Sequence, residues 1–153
     1  MMTRNEMVQE LEIAAPRPRV FRALTDAREL ERWWTTTAES QPRPGGSFRY
    51  EWTFPDAPER DHVQQGQYVA FQEGEKVSYP WKVGQAATRV DFTLRDSGSG
   101  TAVRLEHSGW GEGMDKAYEM HDQGWAFFLG NLKTFLEEGL DRRAETTGMR
   151  VVA

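Results

Sequence analysis

The sequence predicts an α+β fold, in which a curved antiparallel sheet wraps around one long C-terminal helix and two short helices follow the first strand. Three observations predict it. Six short runs alternate apolar and polar residues, the mark of strands with one buried face. Residues 115–138 instead place Tyr118, His121, Trp125, Phe128, Leu129, Leu132 and Leu136 at spacings of three and four, one face of a helix. Between the first strand and the rest lie two brief helical patterns, too short for a crossover unit.

Taken in order, Met7–Ile13 puts Met7, Gln9, Leu11 and Ile13 on one side of a strand. Pro16 and Pro18 then open a helix that turns Val20, Phe21 and Leu24 inward, since proline is tolerated in a first helical turn. Asp26 is placed to cap the next helix, with Glu29 as its capping-box partner and Leu30, Trp33 and Trp34 on its apolar side. QPRPGG at 41–46 is turn material. Ser47–Phe54 alternates strictly, with Phe48, Tyr50, Trp52 and Phe54 on one face. Val63–Gln72 reads as one strand and Val77–Trp81 as the next, with Tyr79 and Trp81 inward. Thr88–Arg95 carries Val90, Phe92 and Leu94, and Thr101–His107 carries Val103, Leu105 and His107. The C-terminal helix takes Asp115 as N-cap and Gly139 as C-cap, and about 24 residues give it a length of about 36 Å. Gly124 and Gly130 each weaken it by about 1 kcal/mol relative to alanine, which predicts a close backbone approach there.

The 153 residues suit one domain, divided as an N-terminal extension (1–6), the domain (7–139) and a flexible C-terminal tail (140–153). A net charge of −5 without a basic run argues against nucleic acid. The absence of cysteine removes disulfides, thiolate nucleophiles and cysteine–zinc sites. No apolar run has the length of a membrane span, and the first residues lack a signal core, so a cytoplasmic protein is expected. Six Trp, eight Phe and four Tyr predict a core, or a cavity, rich in rings.

The run VQELEIAAPRPRVFRALTDARELERWW, the strand GGSFRYEW, LEHSGW at 105–110 and the helix GWAFFLGNLKTFLEEG together resemble one family. It comprises the domains similar to activators of heat-shock-chaperone (heat shock protein 90) ATPase, the AHSA type, within the START-like (SRPBCC, birch-pollen-allergen-like) helix-grip superfamily. The resemblance spans about residues 7–139 and implies a cavity between sheet and helix, where superfamily members bind hydrophobic small molecules and some are cyclases, aromatases or hydrolases. The eukaryotic activators carry a further N-terminal domain. Here the first strand starts within ten residues, so chaperone stimulation is not the leading expectation.

On the sheet side the expected lining is Phe48, Tyr50, Trp52, Tyr79, Trp81, Phe92, Leu105 and His107. Trp125, Phe128, Leu129, Leu132 and His121 lie on the helix, and Trp33 or Trp34 stands near the mouth. The same residues also suit a solid core. His107 and His121 are the candidates for orienting a ligand or moving a proton, and a hydrogen-bonded structural role is the alternative for both. A metal site joining them to Glu106, Glu112 or Asp122 lacks ligand-motif spacing, so neither metal nor cofactor is expected. Ser108 beside His107 has no nucleophile elbow. Three functions stay open: binding of a small hydrophobic or aromatic ligand, a cyclase or aromatase using the histidines, and a stress-response or chaperone-related partner module. The last would present Phe127, Trp110 and Met114 as an exposed patch, on a monomer or homodimer.

Overall fold

Alternation sets the first strand: β1 (Glu6–Ile13) buries Met7 and Ile13 and turns Glu6, Val8, Glu10 and Glu12 outward. The computed structural model describes residues 6–145, so most of the expected N-terminal extension (1–5) and tail residues 146–153 lie outside the described residues. After β1 come α1 (Arg17–Thr25), α2 (Ala27–Trp33), β2 (Thr37–Ser40), β3 (Ser47–Trp52), β4 (His62–Gln67), β5 (Ala70–Gln72), β6 (Lys76–Val83), β7 (Ala86–Ser97), β8 (Gly100–Ser108) and α3 (Asp115–Glu138). Two sheets form, one of five strands in the order β1-β8-β7-β6-β5 and one of three in the order β2-β3-β4. Every pairing is antiparallel. The architecture is the expected α+β grip.

Four local expectations need correction. The stretch 63–72 is not one strand: β4 pairs with β3 and β5 with β6, and the chain changes sheets at Tyr68–Val69. The seam is closed by a side chain. The Gln64 amide accepts from Lys82 N (2.8 Å) and donates to Lys82 O (2.7 Å), standing in for a backbone pairing between β4 and β6. β2 was hidden because TAES has no apolar alternation, and it sits at the edge of its sheet. Asp26 caps α2 through the amides of Arg28 and Glu29, but Glu29 does not return the bond; its carboxylate goes to Arg19 at 2.6 Å. α3 begins with Met114 as N-cap and Asp115 already inside, where a carboxylate favours the positive helix start.

α3 ends as expected at Gly139, whose φ of 72° is the left-handed turn that glycine makes without strain. The helix also covers the free edge of β1. Tyr118 donates to Glu6 O, Lys133 to Glu12 O, and the amide of Gln9 to the backbone and carboxylate of Asp122. An open edge would invite strand addition by another chain. Part of the expected flexible tail is docked as well: Arg143 donates to the carbonyls of Thr35 and Glu31 at the end of α2, held by Asp141. Buried Asn131 of α3 completes this junction by donating to Trp33 O and Asp141.

The close approach expected at Gly130 is absent, since a Cβ there would meet nothing within 4 Å. Gly130→Ala is therefore expected to raise unfolding stability by about 1 kcal/mol, measurable as a higher urea midpoint at unchanged slope. A lower midpoint would mean that the helix needs the glycine for another reason.

Candidate functional site

The inward residues of β3, β6, β7 and β8 face α2 and α3, and the interior between them is filled with rings. Trp34, just past the end of α2, and Trp81 of β6 are its two best-connected rings. The Trp34 ring stacks on Trp33 (centroids 5.4 Å) and on Trp81 (5.8 Å), and also meets Trp52, Tyr50 and Trp125 within 5.6 Å. Trp33 or Trp34 was expected near the mouth; both are buried in this cluster. The indole N–H of Trp33 donates to Ala23 O, and that of Trp52 to Trp34 O. Phe48, Tyr50, Trp52, Tyr79, Trp81, Phe92, Leu105 and His107 are all buried, as are His121, Trp125, Phe128, Leu129 and Leu132. The expected lining is thus brought together, packed ring on ring. Phe54 is half-buried and lies beyond the end of β3.

His107 sits at the inner face of β8, fully buried, with both nitrogens committed. The indole N–H of Trp125 donates to Nδ1 (3.0 Å), so Nδ1 is the bare nitrogen. Nε2 then carries the proton and donates to Thr88 Oγ1 (2.8 Å), whose own hydroxyl donates to Trp81 O (2.6 Å). Burial, helped by the nearby His121, pushes the His107 pKa down to about 3. The ring is neutral near pH 7, with both nitrogens hydrogen-bonded. His121 donates from Nδ1 to Ala117 O one turn back on α3, and its ring lies 5.7 Å from His107 and 5.2 Å from Trp110.

Trp110 was placed in an exposed patch and is in fact buried, donating to His107 O (2.9 Å). Phe127 and Met114 are half-buried, so the three do not form an exposed apolar surface. At the other end of the cluster the Tyr50 hydroxyl bonds that of Tyr68 (2.7 Å), which bonds Ser40 Oγ (2.6 Å). Burial first, then neighbouring tyrosines, holds Tyr50 and Tyr79 well above the usual phenol pKa, and both stay protonated. The outward residues pair on the surface: Arg104 reaches across to Glu10 of β1, and Arg104 with Glu106, Arg89 with Asp91 and Arg49 with Glu51 pair along their own strands.

Thr88, Tyr68 and Gln64 were missed. Thr88 shares the parity of Val90, Phe92 and Leu94, a signal that was present. Tyr68 and Gln64 carried none, because their face of the run at 63–72 reads Gln64, Gly66, Tyr68 and the sheet change obscures it. Within the ring cluster, Trp81 Nε1 is buried and has no hydrogen-bond acceptor among the described residues.

A family model described as Activator of Hsp90 ATPase homolog 1-like protein matches residues 14–137. No curated protein sequence matches the chain. Solved structures do. Protein SSP2350 from Staphylococcus saprophyticus has a TM-score of 0.75 at 19% identity, covering 90% of this chain and 96% of its own. Protein MLL2253 from Mesorhizobium loti has a TM-score of 0.75 at 25% identity, with coverage of 86% and 96%. The Aha1 dimer from Colwellia psychrerythraea has a TM-score of 0.73 at 23% identity, with coverage of 88% and 97%. No helix among the described residues is long and apolar enough to cross a membrane.

Proposed function

The chain belongs to the family of Activator of Hsp90 ATPase homolog 1-like proteins, and from that premise we propose that it binds a small, flat aromatic molecule between the sheet and α3. The observation that carries this reading is the Trp81 indole N–H, a buried donor with no acceptor in a wall of rings. Such an atom costs about 1–3 kcal/mol when left unsatisfied. A ligand with one carbonyl or phenolic oxygen would restore that bond. It would enter by taking the place of the Trp34 ring, which stacks on Trp81, and this sets its size at one or two fused rings. Binding stands ahead of cyclase or aromatase chemistry because His107, the best-placed candidate base, is neutral and has no nitrogen free to receive a proton. A chaperone-directed surface is disfavoured by the burial of Trp110.

The test begins with native mass spectrometry of the protein purified from its host, with extraction of any bound molecule. It continues with tryptophan-fluorescence titration against naphthoquinones and flavonoids. Trp81→Phe keeps a ring and deletes the donor. It is expected to weaken oxygen-bearing ligands about tenfold and to leave plain naphthalene unchanged. Equal loss for both, or no binding by any of them, would remove this reading.

A further inference from the structure

The seam between the two sheets lies against the ring cluster. Trp52 belongs to β3 of the smaller sheet and Trp81 to β6 of the larger; the two rings touch at 5.8 Å, and both touch Trp34. His62 stands opposite Trp52 in the register of β3 and β4, so it shares the inward face. Its ring lies 5.7 Å from Trp52 and 6.4 Å from Trp81. Both indoles are buried while His62 is half-buried, so the cluster meets solvent at this residue.

Pro80 explains why the seam is not zipped by backbone bonds. On the edge of β6 turned away from β7, Ser78 O accepts from Val69 N, Lys82 bonds Gln64, and Pro80 between them has no N–H to give. Gly66 of β4 presses against that proline, where a Cβ would come within 2.9 Å of Cγ. The two strands consequently lie in different sheets, and the Gln64 side chain bridges them.

Lys82 fixes how that amide points. Oε1 faces its N–H and Nε2 its carbonyl, so the second hydrogen of Nε2 goes to His62 Nε2 at 2.7 Å. His62 Nε2 is then an acceptor, and the ring proton sits on Nδ1. A proton added at Nε2 would set two donors against each other, and the amide cannot turn round without losing both bonds to Lys82. The titratable groups beside His62 are His121 of α3, Asp61 before it in the chain and Lys82, whose side chain is exposed; Asp61 accepts from the Phe54 amide. Burial, then His121, lowers the His62 pKa below its ordinary 6.5, so the latch stays shut near pH 7 and loosens in acid.

We propose that this seam is the entrance to the ring cluster, with Gln64 as its latch and His62 as the trigger that releases it. Separating Trp52 from Trp81 opens a slot to the place of Trp34, and a flat molecule passes through it edge first. The proposal rests on the reading of Trp81 as a binding site and adds how that site is opened.

Amide hydrogen exchange on the full chain reads the latch without a ligand. Protection of the Lys82 amide is expected to fall about tenfold between pH 7 and pH 5.5. In His62→Phe, which keeps a ring against Trp52 and Trp81, that fall is expected to vanish. Stopped-flow binding of 1,4-naphthoquinone reads the entrance. Gln64→Leu keeps an apolar side chain of similar size and deletes all three hydrogen bonds. It is expected to raise association and dissociation rates alike, by about tenfold, with Kd unchanged. Protection at Lys82 that ignores pH, or falls equally in His62→Phe, overturns the proposal. Unchanged rates in Gln64→Leu overturn it and leave the reading of Trp81 standing, whereas no binding by the parent removes both.

Discussion

Lowering the pH from 7 to 4 is expected to remove about 3 kcal/mol of stability through His107 alone. Its pKa in the folded protein is pushed down to about 3 by burial, whereas an unfolded chain returns it to about 6.5. The unfolded state therefore binds the proton more readily. The contribution is whole above about pH 6.5 and falls by about 1.4 kcal/mol per pH unit as the pH drops toward the folded value. Burial and the nearby His121 also lower His62, which acts in the same direction. The carboxylates that oppose folding in acid do so later. Hydrogen bonds lower Glu51, Glu137 and Asp141, so their share is lost only as the pH falls through still lower values. Urea unfolding between pH 6.5 and 5 thus isolates the histidines. His107→Gln is the companion variant, since a glutamine amide can accept from Trp125 with its oxygen and donate to Thr88 with its nitrogen. It should flatten the slope in this window. An unchanged slope would mean that His107 is not the group taking up the proton.

His107 also shows what a sequence can and cannot disclose. Its inward parity on β8 was legible, because a period of two fixes the face a strand residue presents. Its role was not, because that depends on Thr88 and Trp125, partners that reach it from β7 and α3 and only meet after folding. The same division runs through the molecule. The long helix, its left-handed glycine cap and the buried stripe from His121 to Leu132 follow from spacing alone. Phe135 escaped that stripe; its ring is buried near its edge and covered by the guanidinium groups of Arg19 and Arg32, contacts made across helices. The change of sheet at Tyr68–Val69 was illegible because no proline marks it, the nearest glycine, Gly66, lies within β4, and the glutamines of 64–67 give too little apolar alternation to show a shift of parity. Trp33 and Trp34 share an apolar helix side in the sequence, yet their adjacent positions gave no sign that Trp34, just past the helix end, would meet five other rings.

That position among the rings gives Trp34→Ala a large expected cost, about 3–5 kcal/mol. The indole is 2% exposed and touches five other rings, so its removal loses burial and aromatic contacts at once and leaves a space the size of a bicyclic ring. A domain with a total stability of about 5–15 kcal/mol remains folded, though weakened. The space is walled by Trp33 and Trp81, and dry apolar cavities of this kind take up aromatic guests. Indole or naphthalene is therefore expected to raise the melting temperature of Trp34→Ala by clearly more than that of the parent, where the guest must first displace Trp34. A guest at a hundred times its Kd restores about 2.7 kcal/mol. Leu132→Ala serves as the control, since it empties an equally buried position on α3 without removing a stacked ring. Rescue of the tryptophan variant alone would show that the stack accepts a flat molecule in place of Trp34, the exchange on which binding beside Trp81 depends. Equal rescue of both variants, or of neither, would mean that the cluster closes over the gap, and binding by displacement of Trp34 would fall with it.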